Sequence, residues 1–135
     1  MPDMTFPSMH ISEIISRPVD AVYAYASDPA NLPEWAAGLS GSISQVGGEW
    51  VAESPMGRVV VKFVSLNEYG VLDHSVVVPS GETFYNPMRV IPYGEGSEVV
   101  FTLRRQPTMS DDDFDRDANA VRADLARLRQ VLEGG

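Results

Sequence analysis

The stretch Ser110–Leu132, SDDDFDRDANAVRADLARLRQVL, decides how this chain folds. Phe114, Ala118, Val121, Leu125, Leu128 and Leu132 recur at alternating spacings of four and three, the repeat of a helix carrying one continuous apolar stripe. Ser110 stands where an N-cap belongs, and Asp111, Asp112 and Asp113 complement the positive end of the helix dipole. A helix of about six turns with such a stripe must lie on something. The sequence before it supplies the surface.

Leu39 to Gln106 is written in short β-type segments separated by turns. Gly47-Gly48, Pro55-Met56-Gly57, Asn67 to Gly70, Pro79-Ser80-Gly81 and Gly94-Glu95-Gly96 punctuate segments ending near Val46 and covering Glu49 to Ser54, Arg58 to Ser65, Val71 to Val78, Glu82 to Ile91 and Ser97 to Arg105. Consecutive hairpins predict an antiparallel meander of about five or six strands. A further strand, roughly Met9 to Ser16, joins it from the N-terminal side. After that strand, Pro18 suits the first position of a helix, and Val19, Val22, Tyr23 and Ala26 form a helical face running to about Ser27. Asp28 caps a second short helical piece carrying Leu32 and Trp35, kept short by Pro33. The predicted fold class is α+β: one domain over 1–135, in which a curved antiparallel sheet wraps the long C-terminal helix and two short helices follow the first strand. The hollow between helix and sheet is where function is expected.

Alternation selects the side chains that enter that hollow. Val59, Val61 and Phe63 face inward while Arg58 and Lys62 face out, and Val99, Phe101 and Leu103 face inward while Glu98, Thr102 and Arg104 face out. In Val71 to Val78 the more apolar face holds Leu72, Val76 and Val78, and with them His74. An imidazole among aliphatic groups is either a satisfied core histidine or a polar handle for a bound molecule, mostly neutral at pH 7 because burial disfavours the charged form. In Glu82 to Ile91 the two faces are Phe84, Asn86, Met88 and Val90 against Thr83, Tyr85, Pro87 and Arg89, and neither is plainly the solvent side. Pro87 points to an edge position or a bulge. Asn86, Tyr85 and Arg89 are candidates for polar groups at a cavity mouth, and Trp35 is either core or the amphipathic wall of an entrance.

Several chemistries are disfavoured by composition and geometry. The net charge of −9 argues against nucleic acid and anionic membranes, which want a basic face. The absence of cysteine removes disulfides, thiolate metal sites and a Cys nucleophile. His10 and His74 are the only histidines, with no carboxylate cluster at ligand spacing beside them, so no metal site is expected. No cofactor is expected either. Asp73-His74-Ser75 contains the residue types of a catalytic triad, but neighbours on a strand point to opposite faces. Gly94-Glu95-Gly96 lacks the strand-to-helix context of a nucleotide loop. No apolar run approaches the roughly 18 residues of a membrane span, and Met1 to Ile15 lacks a cationic, then apolar, leader pattern. A cytoplasmic protein with no membrane insertion is the expectation.

The order strand, two short helices, antiparallel meander, long helix resembles the helix-grip fold of the START and birch-pollen-allergen superfamily, also called SRPBCC. Ile15-Ser16-Arg17-Pro18-Val19-Asp20-Ala21-Val22-Tyr23 with Asp28-Pro29-Ala30-Asn31-Leu32-Pro33-Glu34-Trp35 resembles the opening of its polyketide cyclase/dehydrase-like branch. The resemblance spans essentially the whole chain and rests on structural motifs. It implies a central cavity for lipids, sterols, polyketides, hormones or aromatic products, with cyclisation or dehydration in some members. Relatives that hydroxylate rings at an iron centre are larger, and this chain lacks their ligands. The leading expectation is a binding module for a small hydrophobic or aromatic molecule. Trp35, Val59, Val61, Phe63, His74, Val76, Tyr85, Asn86, Val99, Phe101 and Leu103 would contact that molecule, with His74 orienting it. Two alternatives stand beside it: a cyclase or dehydratase with His74 as general acid/base, and a protein-interaction or chaperone-regulating module that uses the acidic surface instead of a cavity.

Overall fold

A computed structural model of the protein describes residues 7–39 and 41–134. Strand β1 (Ser8–Ile15) leads into helix α1 (Val19–Ala26), a 3-10 turn at Pro29–Asn31, helix α2 (Leu32–Trp35) and a second 3-10 turn at Ala37–Leu39. Strands β2 (Ile43–Val46), β3 (Glu49–Ser54), β4 (Gly57–Phe63), β5 (His74–Val77), β6 (Thr83–Asn86), β7 (Met88–Tyr93) and β8 (Gly96–Arg104) follow, and α3 (Asp111–Gly134) closes the fold. Pro18 sits at the N-cap of α1, one place earlier than its preference for the first helical residue suggests. Asp28 caps the 3-10 turn by accepting the Ala30 N–H at 3.0 Å. At α3 the Ser110 hydroxyl accepts the Asp113 N–H at 3.1 Å.

The stripe on α3 behaves as its spacing demands. Phe114, Ala118, Leu125, Leu128 and Leu132 are buried, and Val121 packs partly buried against them. Each fully buried Leu contributes about 1.5–3 kcal/mol of apolar transfer. The helix lies along β1 and against α2, and polar contacts hold its far end: the Arg17 guanidinium donates to the Leu132 carbonyl at 3.1 Å, and the Glu133 carboxylate accepts the Ser16 N–H at 2.7 Å.

Pairing is antiparallel throughout, in a three-stranded sheet of order β1-β8-β7 and a five-stranded sheet of order β2-β3-β4-β5-β6. The sheets run into one another at Pro87. His74 pairs with Asn86 before it and Val71 bridges Arg89 beyond it, so the register passes the proline without a slip. The Leu72 N–H donates to the Met88 carbonyl at 2.8 Å, and the Val90 N–H to the Gly70 carbonyl at 2.9 Å. Gly70 has φ +72, and a Cβ there would collide with the Val90 carbonyl, so a residue without a side chain is required for this close approach.

Two expected strands are shorter than their sequence patterns and a third is divided. Arg58 to Ser65 ends at Phe63, Val71 to Val78 contracts to β5 with an isolated bridge at Val71, and Glu82 to Ile91 splits into β6 and β7. Beside the proline, at the pair of Leu72 and Met88, two side chains take the place of a ladder bond: Asp73 Oδ1 accepts the Met88 N–H at 2.8 Å, and the Leu72 carbonyl lies 3.0 Å from His74 Nδ1. The N–H that Pro87 lacks would point to the other side, toward Thr102 of β8, whose own N–H donates to the Pro87 carbonyl. Of the two expectations for Pro87, the bulge is not found, and the edge is: the proline directly follows an edge strand. It marks where β6, an edge of its own sheet, gives way to β7, which is paired on its far side by β8.

Candidate ligand-binding site

The last bond joining this strand pair to β8 before β6 begins runs from the Thr102 N–H to the Pro87 carbonyl at 2.9 Å. Beyond it β6 and β8 are not neighbours in a ladder, and the seam between them opens. A hollow of about 340 Å³ occupies this seam, open to solvent and bordered by Gly38, Leu39, Met56, Val76, Phe84, Tyr85, Asn86, Leu103, Arg104, Gln106, Met109 and Asp117. Its lining is mainly apolar, with Phe84 and Asn86 on the inner face of β6 opposite Val76 and His74 of β5. A wider and more polar trough of about 800 Å³ lies between the end of α1 and strands β3 and β4, where Val61 and Phe63 share the border with Asp28, Glu49 and Lys62.

His74 stands in the wall behind the smaller hollow. It is 7% exposed, stacks on Phe63 with ring centroids 4.8 Å apart, and meets Phe101 edge-on at 6.1 Å. Burial pushes its pKa below the usual histidine range, opposed by the bond to Leu72 and by the Asp73 charge, so the ring is neutral at pH 7. A carbonyl only accepts, which puts the ring proton on Nδ1 toward Leu72 and leaves Nε2 as an acceptor facing Asn86 Nδ2 at 3.4 Å.

The residues singled out from sequence fall into three groups. Val76, Tyr85, Asn86 and Leu103 border the seam hollow, and Val61 and Phe63 the α1 trough. Trp35, Val59, His74, Val99 and Phe101 are buried in the core and border neither. Trp35 Nε1 has no acceptor among the described residues. Tyr85 turns its hydroxyl to the outer face, where it donates to Asp73 Oδ2 at 2.7 Å, and Arg89 pairs with the other carboxylate oxygen. Asp73 is itself 7% exposed, a buried carboxylate on the face where sequence phase placed it. The triad types thus separate as strand geometry requires: Asp73 serves the kink and His74 the interior.

Phe84, Leu39, Met56, Met109 and Asp117 border the hollow without having been singled out as ligand contacts. Two of them had a sequence signal. Phe84 shares the inner face with Asn86, and Met109 precedes the Ser110 cap in the position of a hydrophobic staple against Phe114. Asp117 is pushed above the usual carboxylate range by partial burial and by Asp113. Among the described residues no group of three or more His, Asp or Glu side chains is arranged to hold a metal, and no helix is long and apolar enough to cross a membrane.

Comparison with known proteins now bears on the groove. A family model described as polyketide cyclase / dehydrase and lipid transport matches residues 7–133. The chain belongs to this family. Its named activities concern hydrophobic small molecules, the class of ligand a mainly apolar hollow suits. No curated protein matches the chain. Solved structures share the fold: the Aha1 dimer from Colwellia psychrerythraea has a TM-score of 0.74 at 15% identity, covering 94% of this chain and 96% of that one. Ara h 8.0201 gives 0.67 at 12% identity, covering 96% and 99%. DynU16, a protein of the dynemicin biosynthetic locus, gives 0.70 at 16% identity, where the match covers 98% of this family member but 48% of DynU16. These likenesses establish the helix-grip architecture around the seam.

Proposed function

We propose that this protein binds a small apolar or aromatic molecule, lipid-like or polyketide-like, in the seam between β6, β8 and the start of α3. The observation that carries the reading is the divergence of β6 from β8 at Pro87, which leaves a mainly apolar hollow of about 340 Å³ with Asn86 in its wall. That volume lies within the range of small-molecule sites, roughly 300–1,000 Å³. The larger trough is the weaker candidate because charged Asp28, Glu49 and Lys62 share its border. The experiment is a titration with N-phenyl-1-naphthylamine, whose fluorescence rises in apolar surroundings, on the parent and on Leu103→Trp, which fills the seam. Saturable binding that Leu103→Trp abolishes supports the reading. Absence of saturable binding, or binding that the substitution leaves unchanged, overturns it.

A polyketide cyclase or dehydratase using His74 is the second reading, favoured by a neutral imidazole whose Nε2 points toward Asn86 of the seam wall. Direct proton transfer to a bound molecule would require Asn86 to move aside. The interaction-module reading rests on the acidic surface, and the likeness to the Aha1 dimer adds only a shared fold.

A further inference from the structure

The hydrogen-bond chain behind the seam has a direction, and it ends on Asn86, which borders the hollow. Leu72 contributes a carbonyl, which only accepts, so His74 donates from Nδ1 at 3.0 Å. Its ring is held between Phe63 and Phe101, and rotating it to exchange the nitrogens would forfeit that bond inside the core. The remaining ring nitrogen, Nε2, accepts, and the group 3.4 Å from it is the Asn86 amide nitrogen. An Asn amide that aims nitrogen at the histidine turns its oxygen the other way. Asn86 is half-buried on the inner face of β6 and borders the seam with Val76, Phe84 and Leu103. Its Oδ1 has no protein donor among the described residues.

We infer that Asn86 Oδ1 is the anchor for a hydroxyl or other hydrogen-bond donor on the bound molecule, and that His74 is a positioning residue that holds the amide in this orientation. The inference rests on the seam being the binding site, and narrows the ligand class to apolar or aromatic molecules bearing a donor. An acceptor in an otherwise apolar wall costs binding when a ligand covers it without supplying a proton. The site therefore discriminates between a free hydroxyl and the same group capped as an ether. Arg104, Gln106 and Asp117 also border the hollow, so the test must show that the preference belongs to Asn86.

The test compares 2-naphthol with 2-methoxynaphthalene, which share a ring system and differ in the donor, by isothermal titration of the whole chain. The parent is expected to prefer 2-naphthol by about three- to tenfold, the range one neutral hydrogen bond supplies. Asn86→Leu should abolish the preference while retaining 2-methoxynaphthalene. His74→Phe, which keeps an aromatic ring in the stack, should reduce it toward equality by releasing the amide. Nitrogen NMR of the parent gives a readout that needs no variant to fold: His74 should show a protonated Nδ1 and an unprotonated Nε2, and the reverse tautomer would overturn the assignment. Equal affinity of the parent for both probes, or a preference that survives Asn86→Leu, overturns the anchor and leaves the seam reading intact. Failure of both probes to bind overturns the two together.

Discussion

Asp73→Ala tests whether a side chain repairs the ladder at Pro87. The carboxylate accepts three donors, the Met88 N–H, the Tyr85 hydroxyl and the Arg89 guanidinium. They are not equal. Tyr85 and the Arg89 side chain are nearly half exposed and recover water when the carboxylate is removed. Met88 is 1% exposed, so its N–H has no such recourse. Leaving a buried donor unpaired costs about 1–3 kcal/mol. For a domain of this length each kcal/mol moves the melting temperature by about 3–5 °C, which gives a fall of about 3–15 °C. Asp73→Asn retains an oxygen for Met88 and should fall by less than half as much. The assay is a circular dichroism melt at pH 7 of the parent, both variants and Tyr85→Phe, which should stay close to the parent. If Asp73→Ala melts with the parent, or Asp73→Asn is as damaging as Ala, the Met88 contact is not what closes the kink.

Leu128 is 0% exposed on the α3 stripe, and Leu128→Asp combines the loss of a core side chain, about 2–5 kcal/mol, with a buried unpaired carboxylate. Against a total stability of about 5–15 kcal/mol the variant should lack a cooperative melt at 25 °C and above; a parent-like melt would show that α3 is not docked through this face. Asp124 is held above the usual carboxylate range chiefly by burial, partly offset by the Ala37 N–H at 3.1 Å and by Arg127. A folded pKa raised above the unfolded value of 3.8 means stability that is present below that value and lost as pH rises through the folded one, so the ionised group is a cost at pH 7. Asp124→Asn keeps an acceptor for Ala37 and should melt higher than the parent at pH 7, with the gain shrinking toward pH 3; a lower melting temperature at pH 7, or a gain that grows on acidification, refutes this.

Much of the interior was legible because strand phase is a binary property. Val59, Val61, Val99, Phe101, Leu103 and His74 all lie on the inner face that alternation assigned, and Phe84 with Asn86 proves to be the inner side of the ambiguous segment. Phase does not report depth. Val59 and Val99 are sealed in the core and Phe101 borders neither hollow, while Leu103, on the same strand as Val99 and Phe101, borders the seam, because only Leu103 lies past the point where β8 parts from β6. Tyr85 and Asn86 are adjacent in sequence, yet one donates to Asp73 outside and the other meets His74 inside.

By itself the sequence determined most of the elements, and the inward faces of the strands outside Glu82 to Ile91: the α3 stripe, the hairpin turns, the capped short helices and the burial of His74 are local periodicities and turn chemistries that a chain carries wherever it folds. Only the tertiary structure decided where a ligand has room. That depends on Asp73, His74, Pro87 and Thr102, which lie on different strands, meeting at one kink. A missing N–H at Pro87 is visible in the sequence. Which side chains take up the Met88 N–H and the Leu72 carbonyl beside it, and which strand departs there to open the seam, are set by pairing between distant segments.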